Sequence, residues 1–166
     1  MKIKVAIVGS GFGTYCLLPA FDALKGCEVQ SICAEKSART FAYWKGRDKS
    51  KIYTGWKGML EKEKPDAVAI AVVPKYQYEI AHFALTNGIA VFAEKPLTTS
   101  VATSLRLCEL AQEKSLPGMV DFLFPEIPEW AAAKKAIEKG FAGKILHVNV
   151  QWEFLSYDLK NNVKSW

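Results

Sequence analysis

Two short clusters carry the residue types from which chemistry could be built. Gly9-Ser10-Gly11-Phe12-Gly13-Thr14 follows the apolar run Val5 to Val8 and precedes a stretch with Leu17, Leu18 and Phe21 at helical spacing. Glu94-Lys95-Pro96 follows a second short apolar run, Ile89 to Phe92. In the first cluster Gly9 permits a tight turn out of a strand, and Gly11 lets the backbone approach a pyrophosphate with no Cβ in the way. The amides that follow open a helix whose positive end favours phosphate. The third position of the usual pattern, where helix and strand pack closely, is Thr14, and Gly13 stands one residue earlier. In the second cluster Pro96 biases Lys95 away from helical backbone geometry, so that a strand end delivers its ammonium to the carboxyl edge of a sheet. There it could hydrogen-bond a substrate hydroxyl, stabilise charge developing on it and take part in proton transfer. Alone, the first cluster is a turn and the second an exposed lysine. Their order, each at the carboxyl end of a strand, is what a two-substrate oxidoreductase site needs.

A dinucleotide site also needs an acidic residue about 20 residues beyond the last motif position, to accept hydrogen bonds from the adenosine ribose. Counting from Thr14 lands on Ala34, with Glu35 and Lys36 next. Glu35 in that role fits NAD, whereas Ala34 in the slot leaves Lys36 or Arg39 to hold the extra phosphate of NADP. Glu35 as a solvated residue at a helix start is the third reading. The expected cofactor is NAD or NADP, with NADP at least tolerated.

The elements that must position these clusters alternate strictly. Lys2 to Val8, Val29 to Ala34, Ile52-Tyr53, Ala67 to Val73, Ile89 to Phe92 and Met119 to Phe122 read as strands. Tyr15 to Leu24, Ser37 to Lys45, Trp56 to Lys64, Tyr76 to Asn87 and Ser100 to Lys114 read as helices, several of them stopped by glycine. Ala67 to Val73 is nearly all apolar, as a strand covered on both faces should be. Six strands joined by helices predict an α/β fold: a doubly wound, Rossmann-like parallel sheet over residues 1–122. Asp121, at the end of the sixth strand, reads as a local hydrogen-bonding residue.

After Phe122 the pattern changes. Trp130 to Lys139 is an amphipathic helix, and Lys144 to Phe154 alternates, with Leu146, Val148, Val150, Trp152 and Phe154 on one face. Period-two alternation belongs to a strand with one face in water, so residues 123–166 read as the beginning of an α+β domain with a mainly antiparallel sheet. A lone amphipathic strand cannot bury its apolar face, which predicts that the sequence is the front part of a longer protein.

Composition excludes several classes. The 166 residues are 50% hydrophobic and 23% charged, a globular balance and not a disordered one. No stretch approaches the ~20 apolar residues of a membrane span, and the apolar run after Lys4 breaks at Gly9 before it could serve as a secretory signal. A cytoplasmic location is expected, with no membrane partner. Cys16, Cys27, Cys33 and Cys108 have no metal-ligand spacing, so no metal is expected. The net charge of +5 is concentrated between Lys45 and Lys64 among Tyr43, Trp44, Tyr53 and Trp56, which reads as a solvated rim with aromatics packed inward and not as a nucleic-acid surface. His82 and His147 read as structural or solvated.

Gly9 to Gly13, the Asp66-Ala67-Val68 strand into Val73-Pro74, the Gln77 to Gly88 helix and Glu94-Lys95-Pro96-Leu97 together resemble the glucose-fructose oxidoreductase, inositol dehydrogenase and rhizopine-catabolism (Gfo/Idh/MocA) family. Gly140 to Ile145 and Trp152 resemble that family's entry into its second domain. The resemblance implies hydride transfer between a nicotinamide cofactor and a hydroxyl carbon of a sugar, polyol or related carbohydrate. It places Gly9, Gly11, Phe12, Gly13 and Thr14 at the pyrophosphate, Val73, Pro74 and Gln77 alongside the cofactor, and Glu94 and Lys95 at the nicotinamide, with Lys95 as the catalytic residue. It implies a homo-oligomer for the full-length protein, and an acid-base histidine that lies beyond Trp166, so that this chain alone would be inactive. Gln77 stands where many members have histidine, and Phe124-Pro125 where many have arginine. A non-catalytic dinucleotide sensor or scaffold is the alternative, since it keeps the glycine turn without requiring Lys95. An S-adenosylmethionine methyltransferase ranks below both, because that fold usually wants an acid two residues before the first glycine and Ile7 stands there.

Overall fold

The computed structural model describes residues 1–153, 160 and 161. It divides into two units, residues 1–121 and residues 122–166. The first is a six-stranded parallel sheet whose strands, in chain order, are β1 (Ile3–Val8), β2 (Cys27–Cys33), β3 (Ile52–Tyr53), β4 (Ala67–Ile70), β5 (Ala90–Glu94) and β6 (Gly118–Asp121). Their spatial order is β3-β2-β1-β4-β5-β6. The order reverses between β1 and β4, and the crevice outside the carboxyl ends of strands at such a reversal is where doubly wound sheets bind ligands.

Both faces of the sheet are covered, which is why its strands are apolar at successive positions. On β1, Val5 and Ile7 join Leu17, Leu18, Val29, Ile32, Trp44 and Ala69 on one side. Ala6 and Val8 join Val68, Ile70, Ile80, Ala84, Leu85 and Leu107 on the other. The first side is built with α1 (Leu18–Ala23) and α2 (Ala38–Tyr43), the second with α3 (Trp56–Glu63), α4 (Pro74–Thr86) and α5 (Val101–Glu113). Caps fix the starts of two helices: Ser37 Oγ accepts from Thr40 N–H ahead of α2, and Ser100 Oγ from Thr103 N–H ahead of α5.

The expected elements are present with shifted ends. The helix after the glycine turn opens as a π-helical turn, Gly13–Leu17, before α1. β4 ends at Ile70, three residues before Val73, with the Ala71 N–H still donating to Val8 O at 2.8 Å as the last bond on that side. In the basic segment Trp44 is buried, donates its indole N–H to Asp48 O and carries the Arg47 guanidinium on its face, while Tyr43 stays exposed.

In the second unit α6 spans Pro128–Glu138. Phe124, Trp130 and Trp152 pack as a trio with ring centroids 5.2 to 5.9 Å apart. Residues 144–153 carry no strand, contrary to their alternation, and Phe154 lies outside the described residues. The physical reason is that a strand is defined by its ladder, and no partner segment is present among the described residues. Among those residues no helix is long and apolar enough to cross a membrane.

Candidate active site

The glycine turn owes its shape to the end of β4. Gly9 has φ +148°, a conformation that favours glycine, and a Cβ there would lie 2.3 Å from Ala71 O. Its N–H donates to Cys33 O at 3.0 Å, and Thr14 Oγ1 donates to Gly9 O at 2.9 Å. A Cβ on Gly13 would come 3.2 Å from Ile7 Cγ2, so Gly13 takes the close helix–strand packing that the usual spacing gives to the following residue. Thr14 is fully buried and acts as a brace behind the turn. Only Gly11 opens outward: it is exposed, and a Cβ there would meet nothing within 4 Å. That bare backbone, ahead of the helical turn, fits a pyrophosphate.

Glu35 and Lys36 lie exposed just past the carboxyl end of β2. The Glu35 N–H donates to Ser10 Oγ at 2.8 Å, and its carbonyl accepts from Thr40 Oγ1 at 2.6 Å. The backbone that carries both side chains is thereby pinned to the glycine turn. Beside it lies a crevice of about 300 Å³ lined by Gly9, Ser10, Cys33, Ala34, Val72 and Tyr76, among others. Burial pushes the Cys33 thiol up to about 11, so it faces the crevice as an un-ionised group. A larger cavity of about 520 Å³ lies between α4, α5 and β6, but its lining, including Leu85, Leu107 and Met119, holds no charged side chain.

The Lys95 turn reaches the same edge. β1, β4 and β5 are in register through Val8, Ile70 and Ala93, and Glu94 pairs with Asp121 of β6. Lys95 is exposed, and the bond to Pro96 is cis. Beneath the turn sits Gln77, on the first turns of α4 and fully buried. Its Nε2 donates to Glu94 O at 2.9 Å, Pro96 O at 2.6 Å and Leu97 O at 3.3 Å, while its Oε1 is buried without a partner. Gln77 and Thr14, expected at the cofactor, are both fully buried, with side chains hydrogen-bonded to the backbone of the Lys95 turn and of the glycine turn respectively. Pro74 is buried at the start of α4, whereas Val73 is 44% exposed beside it. Phe12 is half-buried, edge-on to Tyr15.

At the Lys95 turn the perturbed titratable group is Glu94. Burial raises its carboxyl above the ordinary range, and a hydrogen bond and negative charge from Asp121 raise it further, against the pull of the Lys95 amide and ammonium. Asp121 reads from the sequence as a local hydrogen-bonding residue, and the strand register sets it level with Glu94. His82, by contrast, lies on α4 against Tyr78, and His147 lies exposed in the second unit.

The Gfo/Idh/MocA oxidoreductase family, described by its NAD-binding Rossmann fold, matches residues 3–122. The chain belongs to this family. Relatives of the Gfo/Idh/MocA chain include an uncharacterized oxidoreductase of Synechocystis sp., 27% identical over 99% of this chain and 44% of its own length. An inositol 2-dehydrogenase of Corynebacterium glutamicum is 29% identical over 87% of this chain and 44% of its own. Among solved structures, a 3-ketoreductase of Actinomadura kijaniata in complex with TDP-benzene and NADP superposes with TM-score 0.73 and 28% identity, over 84% of this chain and 44% of that one. A myo-inositol 2-dehydrogenase of Lactobacillus plantarum shares the fold, with TM-score 0.76 over 87% of this chain and 43% of that one, at 23% identity. The chain thus spans less than half the length of the relatives it matches. With the family comes the NAD-binding fold, on which the glycine turn and the Lys95 turn converge.

Proposed function

We propose that this chain is the cofactor-holding half of an NAD(P)-dependent oxidoreductase acting on a hydroxyl carbon of a sugar, polyol or related carbohydrate. The observation that carries the reading is the convergence of an open glycine turn and an exposed lysine at one carboxyl edge of the sheet, at the reversal of strand order. The names of its relatives, an inositol 2-dehydrogenase and a 3-ketoreductase, support a carbohydrate-like substrate.

In this reading the backbone of Gly9, Gly11, Phe12 and Gly13 holds the pyrophosphate at the positive end of a helix. Glu35 accepts from the adenosine ribose, or Lys36 holds the 2′-phosphate of NADP. Val73 and Pro74 line the path to the nicotinamide, and Glu94 and Lys95 stand at its end. The bound nicotinamide supplies the hydride acceptor or donor. The Lys95 ammonium donates a hydrogen bond to the reacting oxygen and stabilises the negative charge that grows there as its proton leaves. Residues 1–122 form the dinucleotide-binding domain; residues 123–166 begin an α+β domain whose continuation supplies the acid-base histidine and the oligomer contacts in a cytoplasmic protein.

Titration of the chain with NADH and NADPH, followed by nicotinamide fluorescence, tests the first half of the reading. Binding of at least one is expected, and no binding of either at millimolar concentration overturns it. Lys95→Ala in the full-length protein separates enzyme from sensor: an enzyme loses turnover while keeping cofactor affinity, and a sensor loses neither.

A further inference from the structure

We propose that Asp121 is a positioning residue for Lys95, acting through the Glu94 carboxyl, which bridges the last rung of β6 to the backbone amide of the lysine. The proposal rests on the reading above for its functional meaning, but its geometry stands apart from it. Glu94 and Asp121 are direct partners in the parallel register of β5 and β6, so their side chains leave the sheet on the same face at the same height. Burial, with Asp121 level beside it, raises the Glu94 carboxyl above its ordinary range, so that it keeps its proton further up the pH scale. The Glu94 carboxyl also accepts from Lys95 N–H, at 3.2 Å to Oε2. Gln77 holds the carbonyls of Glu94, Pro96 and Leu97 on either side of the lysine from below. The Glu94 carboxyl holds its amide from the strand side, and Asp121 fixes where that carboxyl lies.

The charged groups acting on Glu94 are Asp121 from β6 and Lys95 from its own turn. α1, packed on the same face, contributes Phe21 edge-on to Phe92, and α4 contributes the neutral amide of Gln77. While Glu94 keeps its proton it is uncharged beside the lysine. Once that proton leaves, Glu94 becomes an anion level with Asp121 and beside the Lys95 ammonium. The position and charge environment of Lys95 therefore follow the protonation of Glu94, which a residue outside the Glu94-Lys95-Pro96 sequence shifts.

The test is a pH titration of the chain by NMR, without dinucleotide, reading the Lys95 amide shift and the glutamate carboxyl carbons. In the unsubstituted chain the Lys95 amide is expected to titrate with a midpoint above the ordinary glutamate range. In Asp121→Asn that midpoint moves down towards the ordinary range, and in Glu94→Gln the titration of the Lys95 amide disappears. A Lys95 amide that does not titrate, or that titrates identically with Asp121→Asn, overturns the proposal. Should Asp121→Asn fail to fold, Glu94→Gln decides alone: persistence of the Lys95 titration in it overturns the bridge. Because no dinucleotide is present, failure to bind NADH or NADPH would remove the functional reading without touching this result.

Discussion

Replacing Gln77 by Glu changes one NH₂ to an oxygen and leaves the shape of a fully buried side chain intact. In the native chain Nε2 faces three carbonyls, of Glu94, Pro96 and Leu97, and nothing pairs with Oε1. A carboxylate in that place would point oxygen at oxygen, so the folded state must keep the glutamate protonated, with one O–H where two N–H groups had been. The folded pKa is then raised above the unfolded value of about 4.3, which makes stability complete below that value and progressively lost as pH rises. At 1.36 kcal/mol per pH unit, the loss at neutral pH reaches about 4 kcal/mol, plus about 1 kcal/mol for the missing hydrogen bond. That is comparable with the whole stability of a marginal domain, on the order of 5 kcal/mol. Gln77→Leu is the comparison: it leaves the carbonyls of Glu94, Pro96 and Leu97 without their donor and loses about 2 kcal/mol or more, but by the same amount at both pH values because no group titrates. Urea unfolding followed by far-UV circular dichroism at acid and neutral pH measures both. A Gln77→Glu deficit that is the same at the two pH values would mean that water reaches this side chain and that the three carbonyls do not hold it neutral.

Two glycines of one turn should separate fold from ligand. Gly9→Ala drives a methyl into Ala71 O and should unfold or aggregate the chain, whereas Gly11→Ala should leave the melting temperature unchanged and weaken NADH or NADPH binding tenfold or more; equal melting losses would overturn the distinction. Thiol labelling should find Cys108 fast and Cys33 slow at mildly alkaline pH, because Cys108 is exposed and burial holds the Cys33 thiol at about 11, leaving roughly one thiolate in a thousand near pH 8; comparable rates for the two would contradict the buried position.

The alternation of strand and helix, both clusters and their places at strand ends were legible in the sequence because each depends on local pattern: apolar runs, glycine stops and a proline after lysine. The roles of Gln77 and Thr14 were not. Both are polar residues beside a ligand-like motif, and only their complete burial shows that they brace backbone instead of facing the crevice. Asp121 was hidden for another reason, since its partner is 27 positions away and adjacency across a parallel ladder leaves no trace in spacing. The alternation of residues 144–153 described a capacity to pair, and the pairing itself requires a second segment.

The carboxyl ends of the strands are not level. β4 stops at Ile70, opposite Ala93, while β5 and β6 continue together to Glu94 and Asp121. The edge therefore has a step one residue high, about 3.3 Å. A molecule resting on the lower tread, above β1 and β4, meets the riser from the side, and the lysine sits at its lip. Shortening β5 by one residue would move the step to its boundary with β6 and turn the Glu94 carboxyl to the opposite face, so the length of this strand is as much a part of the site as any side chain on it.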